Sequence, residues 1–405
     1  MLPTMPKNLS CVFLCSILLS ATSINGVKAN FMAESSRPQT VAQNNVDLKP
    51  YIENYAELVY RNYQDAQTQA VAMQAAIAAF LNDPNEATHS AAKDAWIKAR
   101  QSYLQTEAFR FYEGPIDAID PETGEEGPEG RINAWPMNEA FIDYVKAKPN
   151  SGLINNPQFD VSIATILEQD QVTDEADVTT GWHAIEFLLW GQDFNTDGPG
   201  QRSFQDFLPN QKNSDRRRQY LTLVTQQLVA DLTFLESEWK PGAENYRAEF
   251  VQADPKATIG KIFTALATLS AFEMASERMT VALDSGSQED EHSCFSDTTH
   301  QDFVYNAQGI YNVYFGDYAD YQGKGFDELL AQIDPAFNQK VTAALQQTQQ
   351  TVAQIDQPFD QVLASAQGSP PRAEVEAAVT SLENQAETFT QLGTVLGTKV
   401  EILAE

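Results

Sequence analysis

Two residues able to hold a metal ion stand three positions apart in an otherwise apolar stretch. They are His183 and Glu186, in the run Gly181-Trp182-His183-Ala184-Ile185-Glu186-Phe187-Leu188-Leu189-Trp190-Gly191. The i, i+3 spacing puts imidazole and carboxylate on one face of a helix. The run is too rich in Trp, Phe, Ile and Leu for a solvated helix, so a buried one is expected. Thr179 or Thr180 suits its N-cap and Gly191 a left-handed stop. A carboxylate buried there must find a metal, a cation or hydrogen-bond donors. From spacing alone, a core histidine bonded to a glutamate fits as well as a ligand pair does.

Two ligands do not complete a metal site, and further donors must come from elsewhere in the chain. The acidic run Gln288-Glu289-Asp290-Glu291-His292-Ser293-Cys294-Phe295-Ser296-Asp297-Thr298 offers Asp290, Glu291, His292, Ser296 and Asp297. The plainer reading makes these loop solvation, with Ser296 and Asp297 capping the helix that contains Asp302. Glu277, on an apolar helix, is a further candidate. Glu107, Arg110 and Glu113 form an i, i+3, i+6 ladder, ordinarily a set of helix-face ion pairs. If the ladder faces the site, Arg110 balances carboxylates and Glu113 reaches the ion. Glu86-x-x-His89 looks like half of a di-iron motif, but among Ala, Thr and Ser it reads as a first-turn acid and a surface histidine. A shell of carboxylates with one or two imidazoles suits iron or manganese, and zinc only when leaner. The chain has no His-Glu-x-x-His, and Ser293 beside His292 lacks a Gly-x-Ser-x-Gly elbow, so no catalytic residue is assigned.

G-x-H-x-x-E followed by Trp190-Gly191, the acidic run with Glu277-Arg278-Met279 upstream, and Gln308-Gly309-Ile310-Tyr311-Asn312-Val313-Tyr314-Phe315-Gly316 together resemble the imelysin-like family. The resemblance covers nearly all of the chain beyond residue 30. It implies an all-α fold of two four-helix bundles related by pseudo-two-fold symmetry, with the site near their junction. Family members were named for peptidase activity, so a metallopeptidase is the alternative to iron binding. The combined expectation is an exported iron-binding protein of iron acquisition. Its ligand candidates are His183, Glu186, Glu113, Glu277, Glu291, His292 and Asp297. It would bind one or two iron ions, with zinc as the alternative, and an iron-uptake membrane component is the candidate partner.

The elements that must position these residues follow from the rest of the chain. At 405 residues it can bury two cores. Residues 1–29 read as a cleaved signal peptide, with basic Lys7, the apolar run Cys11 to Ser20, and Val27-Lys28-Ala29 at the cleavage site. Asn8 and Leu14 spoil a lipoprotein signal at Cys11 and Cys15, and no later run is apolar enough to span a membrane. Residues 30–47 read as a disordered polar leader, 48–210 as the N-terminal bundle and 211–405 as the C-terminal one. Helical periodicity predicts long helices over 46–81, 86–113, 216–239, 257–283, 326–355 and 372–403, with a short one over 138–146. No alternating strand pattern is evident. The halves read as diverged copies: aligning Gly191 with Gly316 sets His183 on Gln308 and Glu186 on Tyr311, so the second copy lacks both donors. A net charge of −30 excludes nucleic acid and anionic membrane as partners. Of three cysteines only Cys294 lies beyond the signal, so the exported chain has no internal disulfide.

Overall fold

The computed structural model describes residues 46–121, 124–195 and 197–403; the expected signal peptide and nearly all of the polar leader lie outside them. The fold is all-α, and one hairpin of two-residue strands departs from the strand-free expectation.

Helix α1 (Lys49–Asn82) turns Tyr55, Leu58, Val59, Met73, Ile77 and Phe80 to one buried side. Asp83-Pro84 stops it, and Asn85 caps α2 (Glu86–Leu104) in a reciprocal box with Thr88. α2 ends well short of the predicted residue 113. A 3₁₀ turn, Gln105–Phe109, continues it, and then Arg110 is extended and Phe111 and Glu113 take φ of +66° and +58°. The acid-base-acid ladder therefore stops after Glu107 and Arg110.

Short helices α3 (Glu129–Asn133), α4 (Glu139–Ile142) and α5 (Ile163–Leu167) sit in irregular chain before α6 (Gly181–Trp190), every residue of which is buried. α7 (Ser214–Trp239) and α8 (Tyr246–Gln252) follow. The predicted helix over 257–283 is a continuous rod in three parts: α9 (Pro255–Thr268), a π-helical stretch Leu269–Thr280, and α10 (Val281–Ser285). π-Helical turns are uncommon and concentrate at functional sites. α11 (Thr299–Phe315) stops at Gly316 in the left-handed region, and β1 (Asp317–Tyr318) pairs antiparallel with β2 (Tyr321–Gln322). The helix predicted over 326–355 breaks into α12 (Phe326–Ile333) and α13 (Pro335–Val352), because Asp334 caps the second helix and Pro335 has no N–H to continue the first. α14 (Phe359–Ala364) and α15 (Pro370–Leu396) complete the fold.

α1 packs along α2 and α7, and α7 also packs on α6; α15 packs on α9, the π-helical stretch and α13, which in turn meets α11. α11 also lies against α2 and its 3₁₀ extension, joining the two sets of helices. Around α6 the core is aromatic: Trp96 meets the edges of Trp182 and Trp190 at centroid distances of 6.1 and 5.3 Å. Burying side chains of this size contributes roughly 1.5–3 kcal/mol each, which explains how so short a helix is held in place. No helix among the described residues is long and apolar enough to cross a membrane.

Candidate metal centre

The start of α6 is fixed by α3. Thr180 stands at the N-cap, yet its hydroxyl donates to the Arg131 carbonyl (2.9 Å) and caps nothing. Gly181 has φ +83°, and a Cβ there would lie 2.4 Å from the Ile132 carbonyl oxygen. The glycine of the motif is thus the point where α6 meets the α3 backbone, which carries Asn133. At the other end Gly191 has φ +74° but ψ −171°, so it reverses the chain without the left-handed helical stop expected of it.

His183 and Glu186 do share a face. His183 Nδ1 lies 2.9 Å from Glu186 Oε2, and the backbone N–H and hydroxyl of Ser296 donate to Glu186 Oε1 at 2.8 and 2.7 Å. This ties α6 to the loop that follows α10. Phe295 strengthens the tie by packing between Phe187 and Trp135. The Arg100 guanidinium, brought by α2, faces His183 Nε2 at 3.3 Å; it also reaches Asp302 (3.2 Å), Asn133 (2.9 Å) and Ser293 (3.2 Å). A guanidinium has only donors, so His183 Nε2 must present its lone pair and Nδ1 must donate to Glu186. Burial, aided by Arg100, holds the His183 imidazole well below its usual pKa, and burial pushes Glu186 up to about 8.

His292 lies against His183 at a ring distance of 4.8 Å. Its Nδ1 donates to Asp302 Oδ2 at 2.6 Å, leaving Nε2 with a long 3.5 Å contact from Asn133. Burial and Arg278 lower His292 to about 4. Burial alone would raise Asp302, but Arg100 and His292 overrule it and hold the carboxylate well below its ordinary range. Beyond Asn133 the network continues through Glu107, whose Oε2 accepts from Arg110 (2.9 Å) and Arg278 (2.8 Å). Arg278 and its partner Glu273 (2.7 Å) both come from the π-helical stretch.

On the other side of Ser296 the chemistry changes. Asp193 just after α6, Asp297 of the loop and Asp360 of α14 each bring a carboxylate oxygen within 4.8 Å of the other two. Asn195 donates to Asp193 Oδ1 through its backbone and side-chain N–H (2.9 and 3.0 Å), and Gln288 donates to Asp360 Oδ2 (2.6 Å). The opposite oxygens, Asp193 Oδ2 and Asp360 Oδ1, meet no hydrogen-bond donor, nor does either oxygen of Asp297; the fully buried Glu291 has the Thr299 hydroxyl close by but no hydrogen bond of ordinary length. Burial, with Asp360 beside it, pushes Glu291 up to about 11; burial, with Asp360 and Asp193, pushes Asp297 up to about 8.

Of the candidates read from sequence, His183, Glu186, His292, Glu291 and Asp297 are gathered around this loop. Glu113 and Glu277 are exposed and stand apart from it; Glu277 accepts only from Ser276 (3.0 Å). Ser296 and Asp297 do not cap α11: Thr298 holds the N-cap position without a side-chain cap bond. His89 is no surface residue, for it is buried, stacked on Phe80 and 2.8 Å from the Leu189 carbonyl. Sequence reasoning missed Arg100, Asp302, Asp193 and Asp360. Asp193 was within reach, two residues past Gly191, whereas nothing local distinguishes Asp360.

The two sides fit an ion differently. Both ring nitrogens of His183 are engaged, and a guanidinium stands where an ion bound to Nε2 would sit. The carboxylate side has unpartnered hard oxygens and suits iron, manganese or calcium better than zinc.

The sequence profile of the imelysin family, peptidase M75, matches residues 59–389. Iron-regulated protein A of Synechococcus elongatus is 24% identical over 341 residues, covering 82% of each chain. A crystal structure described as an iron-regulated protein A precursor from Parabacteroides distasonis superimposes with a TM-score of 0.66 at 16% identity, covering 86% of this chain and 94% of that one.

Proposed function

The chain belongs to the imelysin family, and from that premise we propose that it is an exported iron-binding protein serving iron acquisition. The observation that carries this reading is the set of unpartnered carboxylate oxygens on the loop of Glu291 and Asp297, a loop bonded to the motif helix through Ser296 and Glu186. Buried carboxylates without donors are costly unless they keep a proton or a cation takes its place. The similarity to a protein named for its iron regulation supports iron as that cation.

In this reading His183 and Glu186 are positioning residues: they hold the loop that carries the ligands. A second reading makes them ligands with His292, and the 4.8 Å ring approach favours it; it requires Arg100 to move aside. The metallopeptidase alternative would in addition need an open coordination position and a base. The proposed architecture is two four-helix groups, α1, α2, α6 and α7 against the α9–α10 rod, α11, α13 and α15, related by a pseudo-two-fold. α7 packs with the first group, so the division is drawn after Trp239, not at residue 210. In this reading residues 1–29 are a cleaved signal peptide and the mature protein is periplasmic, available to a membrane uptake component.

Iron content of the purified full chain tests the function. Bound iron in wild-type protein, unchanged in Glu113→Gln and Glu277→Gln, is expected. A chain that takes up neither ferrous nor ferric iron refutes the reading. N-terminal sequencing of the exported protein is expected to begin near Asn30; retention of residues 1–29 refutes export by cleavage.

A further inference from the structure

We infer that Asp193, Asp297, Asp360 and Glu291 form an all-oxygen site for a hard trivalent cation, taking ferric iron in preference to ferrous. The inference rests on the iron-binding reading and names the ion and the atoms that hold it.

Three aspartates close together are not in themselves a site. What points to a ligand here is Glu291, which is 0% exposed, lies against Asp360 with Asp297 nearby, and has the Thr299 hydroxyl close by but no hydrogen bond of ordinary length to either carboxylate oxygen. The anchoring pattern is also that of a site built to receive something. Asn195 and Gln288 each hold one oxygen of Asp193 and of Asp360, and in both residues the other oxygen is left without a donor. The unpartnered oxygens are Asp193 Oδ2, Asp360 Oδ1, both of Asp297 and both of Glu291, six in all. One oxygen from each aspartate lies within 4.8 Å of the other two, and Glu291, against Asp360, supplies further hard oxygen beside them; an oxygen-only set suits a hard ion.

Charge then selects among hard ions. Among the described residues, no lysine, arginine or histidine forms an ion pair with any of the four carboxylates, unlike Asp302 and Glu107 on the other side of Ser296. Before an ion binds, burial keeps protons on Glu291 and Asp297; a cation that displaces them meets four carboxylates without a counter-charge, which attract a trivalent ion more strongly than a divalent one at the same distance. Imidazole and thiolate, which would favour softer divalent ions, are not in the set. Exposure sets the direction of entry: Asp193 and Asp297 retain 7% and 9%, whereas Asp360 and Glu291 retain 1% and 0%. The first pair forms the rim and the second the floor.

The test uses gallium(III), which shares the charge and size of ferric iron but is not reduced, alongside iron(II) under anaerobic conditions. The readout is metal per chain after desalting, with circular dichroism to confirm folding. Wild-type protein is expected to retain one gallium per chain and to bind it at least about tenfold more tightly than iron(II), since ligand charge count tunes such sites. Asp360→Asn and Glu291→Gln are expected to lose gallium, and Glu113→Gln, at an exposed carboxylate apart from the loop, to keep it. Asp193→Asn, at the rim, serves if a floor variant fails to fold. Full gallium retention in the Asp360 and Glu291 variants overturns the inference. So does uptake of iron(II) but not gallium, lost in His183→Gln; that result leaves the iron-binding reading standing at the imidazoles. No uptake of either iron ion removes both.

Discussion

Replacing Gly181 by alanine tests whether the motif glycine is there for geometry. Two costs are built into the position. With φ at +83° an alanine pays about 1–2 kcal/mol for the left-handed region. Its Cβ would also stand 2.4 Å from the Ile132 carbonyl oxygen and 2.7 Å from that of Arg131, both backbone atoms that cannot rotate away. Pushing a packed element aside costs about 1–3 kcal/mol more, so the total is roughly 2–5 kcal/mol, a large part of the ~5–15 kcal/mol that stabilises a typical protein. Gly242→Ala is the control, because Gly242 has a similar φ of +78° with nothing within 4 Å of a Cβ. It should pay the backbone cost alone. Urea unfolding followed by circular dichroism, with midpoint and slope compared among the three proteins, gives both numbers. Equal losses in the two variants would show that the contact between α6 and α3 does not constrain the glycine.

Arg100→Met leaves Asp302 buried without its main counter-charge and is expected to cost about 3–5 kcal/mol in the same assay; a loss below about 1 kcal/mol would show that His292 and Ser293 suffice. Asp143 lies between Arg202 (2.6 Å) and Arg217 (2.6 Å), which outweigh burial and hold its carboxyl at about 2. A carboxyl depressed on folding contributes stability that is complete above its unfolded value near 4 and is lost as pH falls through about 2, here about 2 kcal/mol. Urea unfolding between pH 5 and pH 2 should therefore show a shallower acid decline in Asp143→Asn than in wild type, and parallel declines would contradict it. Exposed Glu113 and Glu277 should change stability by no more than about 0.5 kcal/mol when replaced by Gln; a larger loss would mean a contact has been overlooked.

What the sequence revealed follows from how local each signal was. α6 was legible because seven apolar residues lie between a threonine and a glycine, Thr180 and Gly191, and the i, i+3 rule needs nothing else to bring His183 to Glu186. The Ser296 contact was half legible: the acidic run was identified, but its register on α6 depends on where Phe295 packs. Glu113 was misplaced because its helix unwinds at Arg110, where burial of Arg110 and Glu107 overrides the helical spacing. His89 looked solvated because its own turn is polar, yet its partner is the Leu189 carbonyl 100 residues away. Asp360 lies 167 positions after Asp193, and no local pattern could join them. The all-α class rested on many periodic segments and survived errors in several boundaries, among them the break at Asp334-Pro335.

Arg100 bears on the order of events in the life of the molecule. It supplies positive charge to Asp302 from within the chain, next to the imidazoles of His183 and His292, so the innermost polar layer is balanced before any ion arrives. The chain need not meet metal in order to collapse around α6. Under the iron-binding reading, assembly and loading are separate steps, and scarcity of the ion leaves the protein empty, not misfolded.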